Sequence, residues 1–368
     1  MPSLTLQKLI SPLVTPLATP AAFDFWAGML NPVWSWERTL ARVVAVQPEA
    51  RNAVTLVLRP NRHFSGFQPG QHVNVTAEVN GVRITRSYSF TGVPRADGCI
   101  SLTVKRIEGG KLSNHLCDAV RVGDVLELGK AFGDMTLEAT GAIPEGKFLF
   151  LAAGSGITPL ISLTRALAAA GMPVDVTLVY WARTHDELCF ARELKELSAS
   201  MPNFQVLFML TREAGTLVDA NDARISQSLL LRLAPDVHER HVYACGPAGF
   251  VQSVRALVDA RSRSFHAEAF TAPVFDAAAH NATGTVRVEL AASGRTLEIP
   301  AGESLLAALE AQGLSPAHGC RIGICNTCAC GKSAGTTQNM NTGEYSAEPT
   351  VALRLCISRA STDLTLDL

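Results

Sequence analysis

Cys320, Cys325 and Cys328 read C-x4-C-x2-C within the stretch CRIGICNTCAC, and Cys356 follows in LRLCIS. Thiolates at that spacing hold a 2Fe–2S cluster, three of them on one continuous loop and the fourth brought in by the fold. Gly323 lets the backbone wrap close to inorganic sulfide, whose charge amide hydrogens can offset. Zinc takes the same ligands, but zinc loops favour paired C-x2–4-C knuckles, so the cluster is the better match. Cys330 lies outside the spacing and reads as a packed or semi-exposed thiol. Four further stretches carry residues of interest. In RSYSF, residues 86–90, an arginine, an aromatic ring and a hydroxyl on one strand offer a phosphate clamp, a stacking surface and a hydrogen-bonding group along a nucleotide. GGKLSNHL, residues 109–116, reads as a glycine-serine turn whose free amides cradle a pyrophosphate. AAGSGITP, residues 152–159, follows an apolar run and opens a helix, so its amides and the helix dipole face a phosphate. The later loop YACGPAGF places Cys245 at a strand end, where a buried structural thiol is the simpler reading.

Composition narrows the setting of these groups. The 368-residue chain has 32 Lys+Arg against 33 Asp+Glu, so no global field points to nucleic acid or acidic lipid. With 47% apolar residues it can build two or three cores. The first residues lack a basic start and an unbroken apolar stretch, and no window approaches a membrane span, which predicts a cytoplasmic protein. Thiols stay reduced there, so an odd set of nine cysteines, four of them clustered in residues 320–330, points to metal or redox work rather than disulfides.

The elements that must position these residues follow from patterning. Residues 37–142 carry alternating β-rich runs such as NAVTLVLRP and HVNVTAEV, separated by turn signals, which predict an antiparallel β-barrel. Residues 143–271 alternate strands and helices, which predicts an α/β domain with a parallel sheet and its ligand at the loops after the strands. Residues 272–283 read as a linker. In residues 284–368 a hairpin of TVRVEL and TLEIP, a short helix ending at Gly313, the Cys loop and a last strand DLTLDL give the order of a β-grasp ferredoxin. Residues 1–36 fit none of these, and hold Trp26, Trp34 and Trp36. They read as a strap whose aromatics fill a groove on the barrel, or else as a docking surface for a membrane-bound partner.

With these motifs in place the sequence resembles a ferredoxin-NADP reductase-type flavoprotein with a C-terminal plant-type ferredoxin domain. It is similar to reductase components of multicomponent oxygenases and to bacterial reductases that serve fatty-acid desaturases. The resemblance implies FAD, rather than FMN, with Arg86 on the flavin pyrophosphate, Tyr88 packed on the isoalloxazine and Ser89 near its reactive nitrogen. Gly110 and Ser113 complete that phosphate site. It places Gly154, Gly156 and Thr158 on the NAD(P) pyrophosphate and Cys245, Gly246 and Pro247 beside the nicotinamide. Glu268 and Phe270, in HAEAF, border the flavin face that the nicotinamide must reach. Gly92 departs from the family motif, which commonly has Ser or Thr there.

Three modules suit one task. A nicotinamide gives up two electrons as hydride, a cluster accepts one, and a flavin can take the pair and release them singly. The chain therefore reads as a relay that delivers electrons at about −400 mV to a partner that does the substrate chemistry. The partner expected is a membrane fatty-acid desaturase, with a ring- or alkyl-hydroxylating oxygenase as the alternative. A non-catalytic scaffold or sensor with a structural metal is the competing class, but it has no need of these polar motifs. Arg212, in TRE, and Arg183 could bind a 2′-phosphate, which favours NADPH over NADH. His318 precedes the cluster loop and reads as an ordinary loop residue. His63, His72 and His115 have no ligand spacing and read as barrel or turn residues.

Overall fold

The computed structural model describes residues 19–137, 145–213, 224–271 and 284–368, so the expected linker 272–283 and the first half of the expected strap lie outside the described residues. Six strands form the first sheet: β1 (Thr39–Ala50), β2 (Ala53–Pro60), β3 (His72–Val79), β4 (Val82–Ser89), β5 (Ile100–Lys105) and β6 (Val125–Phe132). They pair antiparallel in the order β4-β3-β6-β1-β2-β5, and a bridge from Phe90 to Leu102 joins the two edges into a barrel. Val43, Leu56, Val73, Val75 and Phe90 fill it. The β3–β4 ribbon turns at Asn80 and Gly81, both at positive φ, the two-residue turn whose twist matches the strands it joins.

The second sheet is parallel: β7 (Lys147–Ala153), β8 (Asp175–Ala182), β9 (Phe204–Leu210), β10 (Arg240–Gly246) and β11 (Ser264–Ala269), in the order β11-β10-β7-β8-β9. β7 is apolar and almost wholly buried, as a central strand covered on both faces must be. After β9 the chain returns to the other side of β7. The carboxyl ends of β7 and β10 therefore flank the point where the winding reverses, and ligands of open α/β sheets bind in that crevice.

Seven α-helices are described, α1 (Pro20–Leu30), α2 (Lys111–Asp118), α3 (Ile157–Ala169), α4 (Ala191–Ser200), α5 (Gln227–Leu233), α6 (Ala248–Val258) and α7 (Leu305–Ala311). The C-terminal sheet runs β13-β12-β19-β14-β17, from β12 (Thr285–Leu290), β13 (Arg295–Pro300), β14 (Ala329–Ala334), β17 (Thr350–Arg354) and β19 (Leu364–Leu366). β15 (Thr337–Asn339), β16 (Tyr345–Ser346) and β18 (Ser358–Ala360) make a smaller sheet beside it. Gly313, just past α7, has φ +79° and ends that helix as expected.

Two expectations are corrected. Residues 111–118 form helix α2 rather than a turn: Leu112 and Leu116, one helical turn apart, are both buried against the barrel core. The N-terminal aromatics do not fill a groove. Residues 20–30 form α1, capped by Thr19, and Asp24 ties it down by bonds to Ser35 Oγ, Trp36 N and Arg38 Nε. Polar contacts and Ala27 hold the segment, and that leaves Trp26, Trp34 and Trp36 61%, 53% and 47% exposed. No helix among the described residues is long and apolar enough to cross a membrane.

The barrel and the parallel sheet share a polar seam. Arg165 on α3 donates to the Thr91 carbonyl at 2.6 Å while its other nitrogens grip both oxygens of Glu193, and its guanidinium lies over the Phe190 ring. Ser162 donates to the Gly92 carbonyl at 2.6 Å. Gly92 thus serves here through its backbone. From the barrel side, Lys105 Nζ meets the buried Glu187 at 2.8 Å and Glu49 accepts from the Phe190 amide. These contacts register the nucleotide domain on the barrel and line up the crevice between them.

Candidate electron-transfer site

Opposite residues of an antiparallel pair put their side chains on one face, and that face repeats every second residue. Along β3–β4 this gives one row of His72 with Ser89, Asn74 with Ser87, and Thr76 with Thr85. Thr76 and Thr85 hydroxyls are 2.6 Å apart, and Ser87 donates to Asn74 Oδ1 at 2.6 Å. Val73 and Val75 face the core on the other side, opposite Tyr88 and Arg86. Burial pushes the Tyr88 hydroxyl well above its usual value, with Cys117 adding to the rise, so the phenol stays neutral. Arg86 is exposed and donates to the Thr85 carbonyl. Among the described residues no carboxylate pairs with it, so its charge is open to an anion.

Gly110 caps α2 without a side-chain bond, which leaves the first-turn amides of that helix open. A Cβ there would fall 2.3 Å from Ser113 Oγ, so glycine is what lets the serine hydroxyl approach the turn. Ser113 is buried, with Oγ 3.4 Å from Asn114 Oδ1. An open guanidinium, free helix amides and a packed phenol along one strand pair fit a flavin nucleotide.

At the crevice, Gly154 has φ +57° in a short turn and α3 follows from Ile157. A Cβ on Gly156 would lie 1.9 Å from the Cys245 carbonyl oxygen, and one on Gly246 would lie 2.8 Å from Ala153 Cβ. The ends of β7 and β10 are therefore in backbone contact. Pro247 caps α6 immediately afterwards. Thr158 is buried, and its Oγ1 lies 2.9 Å from the Ser155 carbonyl and 3.1 Å from Ser89 Oγ. Its hydroxyl is thus turned towards the barrel serine rather than towards the open mouth of the loop. Cys245 is fully buried, and burial followed by the nearby Glu268 charge keeps its thiol well above the ordinary range, hence protonated.

Glu268 stands beside Cys245 in register on β11, and its Oε2 comes within 2.9 Å of His72 Nε2 across the domain seam. The approach lacks hydrogen-bond alignment, and among the described residues neither His72 nitrogen has a hydrogen-bond partner. The ring lies against Phe132 and meets the edge of Phe270, each at 5.9 Å. Phe270 is pinned by its amide to the Gly246 carbonyl. Sequence reasoning missed His72 as a member of this site. Its pattern, a histidine at the first position of an otherwise apolar-alternating strand, was the available signal. Buried polar atoms without hydrogen-bond partners among the described residues are what a bound ring system would satisfy.

The cysteine loop shows how its sulfurs are prepared. Cys320 Sγ receives the amides of Ile322, Ile324 and Cys325 at 3.3–3.5 Å, and Cys325 Sγ receives the amide of Cys320 at 3.2 Å. Gly323 has φ +81°, and a Cβ there would strike Ile357. The thiols interact in two pairs. Cys320 holds Cys325 low and is itself held high, and Cys356 does the same to Cys328. Among the described residues no three such side chains converge on a single point. Backbone amides aimed at the sulfurs of one continuous loop, with Cys356 brought in by the fold, fit a 2Fe–2S cluster. Cys330 is buried on β14, and burial pushes its thiol up to about 11. His318 Nε2 is 2.9 Å from Arg321, which is bidentate to Glu310.

At the carboxyl ends of β8 and β9 the Arg212 amide bonds to the Arg183 carbonyl, so the two expected arginines lie side by side. Both are exposed.

The fold and these sites define an oxidoreductase that combines flavin, pyridine nucleotide and a 2Fe–2S cluster. Residues 41–136 match the oxidoreductase FAD-binding domain, 150–256 the oxidoreductase NAD-binding domain, and 288–361 the 2Fe-2S iron-sulfur cluster binding domain. The chain is 34% identical to an NADPH oxidoreductase of Mycobacterium tuberculosis, over 94% of this chain and 88% of that one. It is 29% identical to the glycine betaine monooxygenase reductase subunit of Pseudomonas aeruginosa, over 93% and 99%. The solved structure of phthalate dioxygenase reductase is similar at 26% identity with a TM-score of 0.58, over 89% of this chain and 97% of that one. The chain belongs to the ferredoxin reductase-type family of NAD(P)H-driven, FAD- and 2Fe–2S-containing electron-transfer reductases. Of the two partner classes expected, the desaturase finds no support in these relatives, whose descriptions name a monooxygenase and a dioxygenase.

Proposed function

We propose that this chain is the reductase component of an oxygenase system and that NADPH is its electron source. The observation that carries the reading is the arrangement around the β3–β4 row. Ser89 and His72 meet Thr158 and Glu268 of the nucleotide domain, and one step along the same row Asn74 meets Thr327 of the cysteine loop. A ring held against this ribbon would have the nucleotide domain at its Ser89 end and the cysteine loop at its Asn74 end. The bound groups supply hydride transfer and one-electron release. The protein's residues do the rest. Arg86, Gly110 and Ser113 hold the flavin phosphates, and Tyr88 packs its ring. Gly154 and Gly156 admit the nucleotide phosphates, and Cys245, Gly246, Pro247 and Phe270 shape the nicotinamide slot. Ser89 and Glu268 present polar atoms where the hydride is received. Cys320, Cys325, Cys328 and Cys356 ligate the irons.

Anaerobic titration with each pyridine nucleotide tests the reading. Flavin and cluster bands should both bleach with NADPH, and a colourless or nucleotide-insensitive protein would end the proposal. Arg183 and Arg212 form the 2′-phosphate site in this reading. Arg212→Ala should raise the KM for NADPH roughly tenfold, the effect of losing one charge-assisted hydrogen bond, and leave that for NADH unchanged. An equal change for both coenzymes would remove Arg212 from the site.

The exposed aromatics of the N-terminal segment are proposed to contact the acceptor, which for a membrane-bound partner would lie at the bilayer surface. The doubly substituted Trp26→Ser, Trp34→Ser protein should reduce ferricyanide as before and its oxygenase partner several-fold more slowly at limiting partner concentration. Equal loss with both acceptors would refute docking.

A further inference from the structure

We infer that Asn74 is a positioning residue that seats the cluster loop on the flavin barrel and so sets the rate of internal electron transfer; the inference rests on the relay reading above. Asn74 lies on β3, in the row that also carries Ser89 and His72. Its Oδ1 accepts from Ser87 at 2.6 Å, which fixes the amide so that Nδ2 points outward, 3.4 Å from Thr327 Oγ1. Thr327 stands between the expected ligands Cys325 and Cys328. The loop reaches the same amide a second time, since a Cβ on Gly319 would sit 3.5 Å from Asn74 Nδ2 and 2.9 Å from Cys325 Sγ. Gly129 on β6 gives Asn74 its room: a Cβ there would lie 3.2 Å from Asn74 Cβ.

Residue type and place follow from the two demands. One neutral side chain must accept from Ser87 and donate to the loop, and a primary amide does both. Two residues of a strand advance about 7 Å, so the loop is held one side-chain step from the Ser89 position at which the nucleotide domain touches the ribbon. Thr327 also bonds Cys325, so changing it would alter the cluster itself, whereas Asn74 sits on the barrel and touches no sulfur ligand.

Asn74→Asp and Asn74→Ala separate docking from packing. Aspartate keeps the shape beside Gly129 and the bond from Ser87 but has no N–H for Thr327. On rapid anaerobic mixing with NADPH, both variants should reduce flavin at the wild-type rate and then reduce the cluster about fivefold more slowly, the shift expected when one neutral hydrogen bond is lost from a docking equilibrium. In Asn74→Ala, which adds no charge beside the loop, the cluster's midpoint potential should stay unchanged. Amide hydrogens of residues 319–328 should exchange faster in the oxidised protein, without NADPH. Wild-type cluster reduction together with wild-type exchange in Asn74→Ala would overturn the inference. A wild-type protein whose cluster NADPH does not reduce would instead refute the relay reading, and the exchange measurement would then decide the docking role alone.

Discussion

Cys356→Ser protein should purify with its flavin but without stoichiometric iron or acid-labile sulfide. Its NADPH–ferricyanide activity should stay within about twofold of wild type, because ferricyanide takes electrons from the flavin, while reduction of a one-electron protein acceptor falls by roughly a hundredfold. Cys356 is the ligand that the loop does not supply. It sits buried in the turn 355–357 between β17 and β18, where the Leu355 amide bonds to the Cys328 carbonyl at 3.3 Å. That bond brings Cys356 to Cys328 and completes the second sulfur pair. Serine is a poor substitute for a thiolate towards iron, and one lost ligand leaves one iron held by a single protein sulfur. The substitution touches neither the barrel nor the parallel sheet, so the nucleotide chemistry is left intact. Cys330→Ser is the matched control. That thiol is packed, with Asp367 adding to the effect of burial on it, and the variant should keep its iron. Iron retained in Cys356→Ser, or lost equally in Cys330→Ser, would break the ligand assignment.

What could be read from the sequence was what the chain determines locally. The cysteine spacing lies within one loop, Asn80–Gly81 is a two-residue turn, and β7 is a continuous apolar run, so each carries its own signal. The glycines of the crevice were legible as a pattern, but the reason for Gly156 was not, since the Cys245 carbonyl it touches comes from a distant strand. Helix α2 was misread because its serine, asparagine and histidine mimic a turn, although Leu112 and Leu116 were spaced for a helix. The tryptophans misled in the other direction. Aromatic content argued for burial, but Asp24 fastens the segment with polar bonds and leaves the rings outside. The pairings of His72 with Glu268 and of Asn74 with Thr327 were beyond reach, because each joins residues of different domains, although Glu268 and Thr327 stand in motifs that the sequence shows. The modules are therefore local features of the sequence, and the wiring between them is a tertiary one.

Gly156→Ala tests that wiring at its narrowest point. Gly156 has φ −61°, a conformation open to any residue, so space rather than backbone freedom requires glycine there. The added carbon would meet the Cys245 carbonyl oxygen at 1.9 Å, its carbon at 2.3 Å and the Gly246 nitrogen at 2.7 Å. All three are backbone atoms of a central strand end and cannot rotate away, so the turn before α3 must retreat from β10 by an ångström or more. That retreat separates the phosphate loop from the nicotinamide slot and draws Thr158 away from Ser89, the contact by which the nucleotide domain registers on the barrel. Misplacement of about 1 Å in a bound reactant can cost roughly a hundredfold in rate, and flavin reduction by NADPH should fall by that order. Flavin content, iron content and cluster reduction after photochemical reduction of the flavin should match wild type, because none of those depends on the crevice. Gly154→Ala provides the comparison: its φ of +57° costs about 1–2 kcal/mol of backbone strain, but the added Cβ meets nothing within 4 Å. It should lose stability and raise the KM for NADPH, because its methyl enters the space that admits the nucleotide phosphates, with little change in flavin reduction at saturating NADPH. Should the two variants reduce flavin equally fast, close contact between the ends of β7 and β10 would not be what aligns the nicotinamide.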